Sequence, residues 1–106
     1  MLVAFSVAPT IAADSADADG SVHAAVAAAV RVVRDSGLPN RTDAMFTTLE
    51  GDWDEVFAVV KAATAAVAAF GPRVSLVLKA DIRGDRTGEL DGKVERLEKA
   101  LTELDA

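Results

Sequence analysis

Charged side chains alternate along one predicted strand in the last third of the chain. Lys79, Asp81 and Arg83 stand at every second position, so all three lie on the same face of a strand. They form either a cross-strand ladder on a solvated sheet face or the lining of a ligand pocket or subunit interface. Spacing alone leaves these alternatives open.

A further acidic group stands where a strand predicted over Met45–Glu50 turns into a helix. Gly51 breaks the strand, Asp52 is predicted as the helix N-cap, and Glu55 three residues later completes a capping box. Glu50 therefore lies at a strand end beside a helix N-terminus. Polar groups there can serve a ligand site, and they are also typical of any tight strand–helix turn.

Isolated residues and loops give weaker indications. His23 in a first helical turn is more typical of a neutral hydrogen-bonding or packing residue than of a general base. Trp53, directly after a cap, is expected to pack over the helix start rather than to cover an aromatic ligand. The acidic segment Asp14–Gly20 fails the EF-hand pattern, because Val26 occupies the position of the bidentate Glu, so a solvated loop is favoured. No phosphate loop or nucleophile elbow is present, and nothing in the residues indicates an enzyme.

Composition restricts the class of protein. The 106 residues predict one domain over 1–106, and 51% hydrophobic residues argue against disorder. The net charge of -6 argues against nucleic acid, which is bound largely by Lys and Arg, and is compatible with a cationic ligand. The absence of Cys excludes disulfides and thiolate metal sites, and the single His excludes a multi-histidine metal site within one chain.

The apolar N-terminus is predicted to be a strand and not a signal peptide. No Lys or Arg precedes Arg31, and the run alternates and contains Ser6 and Pro9. No segment approaches the roughly 20 apolar residues of a membrane span. We therefore expect a cytoplasmic protein without a membrane partner.

Periodicity predicts an α+β, ferredoxin-like βαββαβ fold: an antiparallel four-stranded sheet with an added C-terminal helix. Two helices are expected to cover one sheet face, leaving the other for the last helix, a partner or water. The expected elements are a strand over Leu2–Ala8 ended by Pro9, a helix over Val22–Ser36 capped by Ser21, one or two strands in Asn40–Glu50, a helix over Trp53–Phe70, a strand over Val74–Arg83, and a helix from Leu90 to the end.

Two apolar patterns bear on packing. The face made by Val74, Leu76, Leu78, Ala80 and Ile82 is expected to pack on the helices. In the last helix, an apolar stripe with seven-residue spacing could dock on this subunit or on a neighbour. The stripe consists of Leu90, Val94, Leu97, Leu101 and Leu104.

Six short motifs, in order, resemble those of the small thiamine-binding protein family, whose members adopt ferredoxin-like folds. The similarity covers nearly the whole chain. The central segment is similar to the family's Pro-Met-Gly-Thr strand followed by Glu-Gly-x-Trp/Leu-Asp-Glu-Val, and KADIR is similar to its Lys-x-Asp-x-Arg. The motifs lie at Ser6–Pro9, Gly20–Val22, Ser36–Leu38, Ala44–Val56, Lys79–Arg83 and Gly92–Glu98.

The resemblance implies non-enzymatic binding of thiamine or its aminopyrimidine moiety by a homodimer or homotetramer, with thiamine as a ligand and no cofactor or metal. A carboxylate would pair with the thiazolium or accept from the amine, hydroxyls would serve the ring nitrogens, and Phe46 or Trp53 would stack. The matched ligand-binding positions are Ser6, Ser21, Thr47, Glu50, Lys79 and Asp81.

Departures from the family pattern keep an alternative open. Ala44 and Phe46 replace Pro and Gly, His23 replaces Ser, and the loop Thr10–Asp19 is longer and more acidic. Phe46 either stacks on a ligand or fills the pocket. If it fills the pocket, the protein is a structural or regulatory oligomer without a small-molecule ligand; an enzyme acting on a thiamine precursor is the third, least favoured reading.

Overall fold

Four strands and three helices follow one another in the computed structural model, which describes residues 1–10 and 22–105. The order is β-α-β-β-α-β-α, as the periodicity predicts, so the α+β ferredoxin-like fold with an added helix is confirmed. The elements are β1 (Leu2–Thr10), α1 (His23–Asp35), β2 (Asn40–Thr42), β3 (Thr47–Glu50), α2 (Trp53–Ala68), β4 (Arg73–Asp81) and α3 (Glu89–Leu104).

The sheet is antiparallel, with strand order β2-β3-β1-β4. Strand β1 pairs with β4 along its whole length, from Leu2 opposite Asp81 to Thr10 opposite Arg73. Among the described residues, its pairing with β3 runs only from Leu2 to Phe5. The second half of β1 therefore has one free edge, where alternate residues direct their backbone polar groups away from the sheet.

The core lies between one face of the sheet and the helices α1 and α2. Val3, Phe5 and Val7 alternate along β1 and are buried, and Leu49 of β3 is paired with Val3 on the same face. The helices contribute small side chains at three- and four-residue steps, which lets them pack closely against each other. These helical core residues are Ala25, Ala29, Val33, Val56, Val60, Ala63 and Val67.

The boundary between β3 and α2 is fixed by local chemistry. Asp52 caps α2: its side chain accepts from the Glu55 backbone N–H, and the Glu55 carboxylate accepts from the Asp52 N–H, so the predicted capping box is confirmed. A Cβ at Gly51 would lie 3.1 Å from a Val56 methyl group and 3.4 Å from Leu38. A side chain at this position would therefore require Val56 to shift by a few tenths of an ångström, and glycine avoids this.

The third helix is attached to the opposite, open face of the sheet by its first turns. The Glu50 carboxylate, at the end of β3, accepts from the backbone N–H groups of Glu89 (2.8 Å) and Leu90 (3.1 Å). Glu50 thus caps the N-terminus of α3 from another strand, because Gly88 at the N-cap position has no side chain to do so. Arg41 bonds Asp91 on one side of the helix, and Lys93 bonds Asp81 on the other.

Several predicted boundaries are wrong. Strand β1 continues through Pro9 to Thr10, in the half with one free edge, where a missing N–H is tolerated. Helix α1 begins at His23 with Val22 as the N-cap, one residue later than predicted; Ser21 lies outside the described residues. Helix α2 ends at Ala68 rather than Phe70, and β4 spans Arg73–Asp81 rather than Val74–Arg83.

The predicted apolar face of β4 is confirmed in part. Val74, Leu78 and Ala80 pack against the core. Leu76 lies opposite Val7 on that face but is exposed, and Ile82 is exposed beyond the end of the strand.

Glu50→Gln is expected to lower the free energy of unfolding by about 1–3 kcal/mol. A glutamine amide has only one acceptor oxygen, so it can accept from one of the two helix N–H groups. Its NH₂ group would face the other N–H, which would lose its acceptor. Urea unfolding followed by circular dichroism measures this change. Glu103→Gln, at the exposed end of α3, is the matched control and should leave the midpoint almost unchanged. Equal midpoints for the two variants would contradict the capping role of Glu50.

Candidate functional site

A cleft of about 140 Å³ lies where the free edge of β1 meets the turn between β2 and β3. We call it the edge cleft, and its main lining residues are Ser6, Val26, Thr42, Asp43, Phe46 and Thr47. Thr47 is only 7% exposed, and its hydroxyl lies 3.2 Å from the Thr42 hydroxyl, with either as the donor. The structure thus brings Ser6 and Thr47, two predicted ligand residues, into one cleft with an aromatic ring.

Asp43 fixes the turn that forms this cleft. One oxygen of its carboxylate accepts from the backbone N–H groups of Met45 (2.8 Å) and Phe46 (2.9 Å). Its backbone N–H donates to the Phe46 carbonyl at 2.9 Å. The two amide bonds lower the pKa of the Asp43 carboxyl below its ordinary value, so the cleft carries a fixed negative charge at neutral pH.

The local sequence explains why this turn was not resolved from pattern alone. Met45 and Phe46 have strand-forming side chains and are predicted in the strand, but β3 begins only at Thr47. The Asp43 side chain offers their N–H groups an acceptor within the turn, in competition with a strand ladder. Sequence reasoning therefore missed Asp43 and Thr42 as site residues. A signal was present, because an Asp side chain often accepts from the backbone N–H groups two and three residues later and so forms a turn.

A second and larger cleft, about 630 Å³, lies at the other end of β3, between the β3–α2 junction and the loop from β4 to α3. We call it the strand-end cleft, and the residues that concern us are Met1, Leu38, Trp53, Ile82, Arg86 and Thr87. Trp53 is 55% exposed, and its ring packs against Phe57 with centroids 4.9 Å apart. The expectation that Trp53 packs at the helix start agrees with this contact, and the residue also forms a cleft wall.

Glu50 lines the strand-end cleft, but the residue is only 8% exposed and both oxygens of its carboxylate are bonded to α3. The helix amides and the carboxylate satisfy each other at a buried position. The structure therefore does not bring Glu50 together with Ser6 and Thr47. Its observed contacts are those of a residue that positions α3.

Lys79 and Asp81 lie on the open sheet face, as predicted from their alternation. Lys79 is opposite Ala4 and Asp81 is opposite Leu2, so both point away from the core residues Val3 and Phe5. The Asp81 carboxylate accepts from Lys93 at 2.7 Å, which lowers the pKa of Asp81 below its ordinary value. Neither residue lines the edge cleft or the strand-end cleft.

The remaining predictions fall in part outside the described residues. Ser21, the loop Thr10–Asp19 and the rejected calcium loop Asp14–Gly20 lie wholly or mostly in the segment that is not described. His23 is the exposed first residue of α1. Among the residues the structure describes, no group of three or more His, Cys, Asp or Glu side chains is arranged to hold a metal ion.

No helix in the described ranges is long and apolar enough to cross a membrane. Most of α3 nevertheless presents apolar side chains to solvent: after the half-buried Leu90, the predicted stripe is exposed at Val94, Leu97, Leu101 and Leu104. Leu97, in the middle of the stripe, is 57% exposed. The stripe is not docked on the described part of its own chain.

The fold and the two clefts define a small ferredoxin-like α+β protein with cavities at both ends of its third strand. Residues 3–98 match the thiamine-binding protein family. Because this match covers nearly the whole chain, the chain belongs to that family.

Known relatives agree with this assignment. A UPF0045 protein of Mycobacterium bovis is 52% identical over 102 residues, which cover 95% of this chain and 94% of the relative. A crystal structure of a hypothetical protein from Methanocaldococcus jannascii superposes with a TM-score of 0.77 at 31% identity, covering 92% of this chain and 94% of that one. A Thermotoga maritima protein whose name refers to thiamine biosynthesis and salvage gives a TM-score of 0.72 at 26% identity, covering 91% and 96%.

Arg96→Gln is expected to destabilise the fold at pH 7 and to have little effect once the pH is below the lowered pKa of Glu89. Arg96 bonds the buried Glu89 at the start of α3, and this bond lowers the pKa of the Glu89 carboxyl below its ordinary value. The stabilisation is therefore present above the ordinary pKa of Glu and is lost as pH falls through the lowered one. Urea unfolding across pH 2.5–7 measures it; a pH-independent deficit, or an equal deficit in the exposed-residue control Lys99→Gln, would contradict this role.

Proposed function

We propose that this protein binds thiamine or its aminopyrimidine moiety without catalysing a reaction, and that it does so as a homo-oligomer. The observation that carries the proposal is the edge cleft, in which Ser6 and Thr47 meet although they are 41 residues apart in sequence. Membership in the thiamine-binding protein family supports the ligand class. The ring would enter between Phe46 and the free edge of β1.

The polar groups of the edge cleft suit an aminopyrimidine. Such a ring carries acceptor nitrogens and a donor amine, and the hydroxyls of Thr42 and Thr47, which lie on the same sheet face, both donate and accept. Backbone groups along the free edge of β1 add further donors and acceptors. Phe46 supplies a ring face for stacking. The cleft thus offers a flat ring both stacking and in-plane hydrogen bonds.

The charge of the cleft favours a cation. Asp43 lines it and is ionised at neutral pH, as an ordinary Asp is, and two backbone amides lower its pKa further. Both of these bonds go to one carboxylate oxygen, which leaves the other oxygen for a ligand. The thiazolium of thiamine carries a permanent positive charge, so Asp43 would favour thiamine over neutral analogues.

Size indicates that a second chain completes the site. Small-molecule pockets are typically about 300–1,000 Å³, whereas the edge cleft encloses about 140 Å³, enough for one ring. The remaining part of thiamine needs a further wall. Met45, which is 73% exposed beside the cleft, and the open sheet face with Lys79 and Asp81 are surfaces that a second copy would cover.

Within this proposal the matched residues have different roles. Thr47 contacts the ring and Ser6 borders it at the edge of β1, whereas Lys79 and Asp81 lie at the subunit interface or the ligand's outer part. Glu50 holds α3 in place. Ser21, outside the described residues, is proposed as a ligand residue from the family resemblance alone.

A second candidate function follows from Phe46. Its ring lines the edge cleft and the free volume is small, so the side chain is able to replace a ligand ring in a purely structural or regulatory oligomer. Phe46→Gly distinguishes the two cases. If the wild type binds neither thiamine nor hydroxymethylpyrimidine and the variant binds one of them, the structural function is supported.

Calorimetric titration tests the ligand. The wild type should bind both thiamine and hydroxymethylpyrimidine, and Thr47→Val should weaken both about 5–10-fold through loss of one hydroxyl. Asp43→Asn, which keeps an acceptor oxygen for the turn, should weaken thiamine while leaving the uncharged pyrimidine nearly unchanged. Thr64→Val, the same change in α2 away from both clefts, is the control. Absence of heat with either compound in the wild type would refute the binding proposal.

Native mass spectrometry tests the assembly. The intact protein should appear as a dimer or tetramer, and Leu97→Lys, which places a charge in the exposed apolar stripe, should shift it toward monomer with its helical circular dichroism retained. Thr102→Lys introduces the same charge at an exposed position of α3 outside the stripe and should leave the assembly intact. A monomeric wild type at tens of micromolar would contradict the proposal.

A further inference from the structure

The strand-end cleft is separate from the edge cleft. The two share no lining residue and lie at opposite ends of β3. At about 630 Å³ the strand-end cleft falls within the usual range of about 300–1,000 Å³ for small-molecule pockets. It therefore has room for a complete small molecule within one chain.

Its walls are apolar and partly aromatic. The apolar lining residues are Met1, Leu38, Pro39, Trp53 and Ile82. Trp53 and Ile82 are exposed although both are large and apolar. A flat ring placed against the indole would remove this surface from water and gain stacking.

The lining carries charges of both signs. Its three carboxylates keep their negative charge, but each accepts from backbone N–H groups: Glu50 from α3, and Asp52 and Glu55 within the capping box. Of its two arginines, Arg83 makes two bonds to Asp85. Arg86 forms no ion pair within the described residues, because Asp85 is held by Arg83 and nearby Glu89 is bonded by Arg96.

The donor groups of Arg86 and Thr87 suit the oxygens of a phosphate. A guanidinium presents a planar fork of donors that pairs with two oxygens of a phosphate or carboxylate. The Thr87 hydroxyl stands next to it in the lining and has no hydrogen-bond partner in the described part of the chain. A phosphate monoester, with three acceptor oxygens and a charge near −2, uses both donors better than a carboxylate does.

We propose that the strand-end cleft binds a planar aromatic molecule carrying a phosphate monoester, its ring against Trp53 and its phosphate on Arg86. This site goes beyond the proposed function and differs from it in charge preference, because a cation entering here would meet Arg86. The inference stands whether or not the edge cleft binds thiamine.

Trp53 fluorescence reports on this cleft directly, since the chain has one Trp and no Tyr. The probes are pyridoxine 5′-phosphate, pyridoxine and inorganic phosphate, titrated into the full-length protein. We expect saturable quenching by the ester, binding weaker by about tenfold or more for pyridoxine, and no quenching by inorganic phosphate, which lacks the ring. Arg86→Gln should weaken the ester by a similar factor.

The controls separate this site from the edge cleft and from general charge effects. Arg31→Gln, which removes an exposed positive charge on α1 outside both clefts, should retain binding of the ester. Thr47→Val should retain it as well. Unsaturable quenching, equal affinities for the ester and pyridoxine, displacement of the ester by inorganic phosphate at equal concentration, or unchanged binding in Arg86→Gln would each overturn the proposal.

Discussion

The carboxylate of Glu50 joins the third helix to the sheet, and much of the molecular surface follows from that one contact. Two helix N–H groups without an intrahelical acceptor meet a buried charge that needs donors, so each satisfies the other. Because the anchor is at the start of α3, the rest of the helix is not held against its own chain, and its apolar stripe faces solvent. The same anchor brings the loop before α3 to the wall of the strand-end cleft.

The two clefts have opposite charge preferences for local reasons. At the edge cleft, Asp43 is ionised, with its pKa lowered by backbone amides, and the nearby hydroxyls are uncharged. At the strand-end cleft, the carboxylates of the lining accept from backbone amides at two helix starts, and Arg86 forms no ion pair within the described residues. Capping therefore stabilises α2 and α3 and also occupies acceptor oxygens at the wall of this cavity.

The candidate site was predictable only in part. Ser6 and Thr47 came from family resemblance, and the structure brings them together because β3 stops early and exposes the edge of β1. Asp43 was not found, since its role depends on a turn whose strand-like residues Met45 and Phe46 concealed the boundary. Glu50 was correctly identified as a polar group beside a helix terminus, but it is bonded to the start of α3 and not to the adjacent α2.

The order of strands and helices, the alternating core of β1, and the capping box of α2 were determined by the sequence itself, because each rests on contacts within a few residues or on the period of one element. The tertiary structure decided the free edge of β1 and the pairing of Glu50 with α3. It also decided that Arg86 has no ion-pair partner among the described residues. Each joins or separates groups far apart in the chain, and no local pattern records which donor a carboxylate will meet after folding.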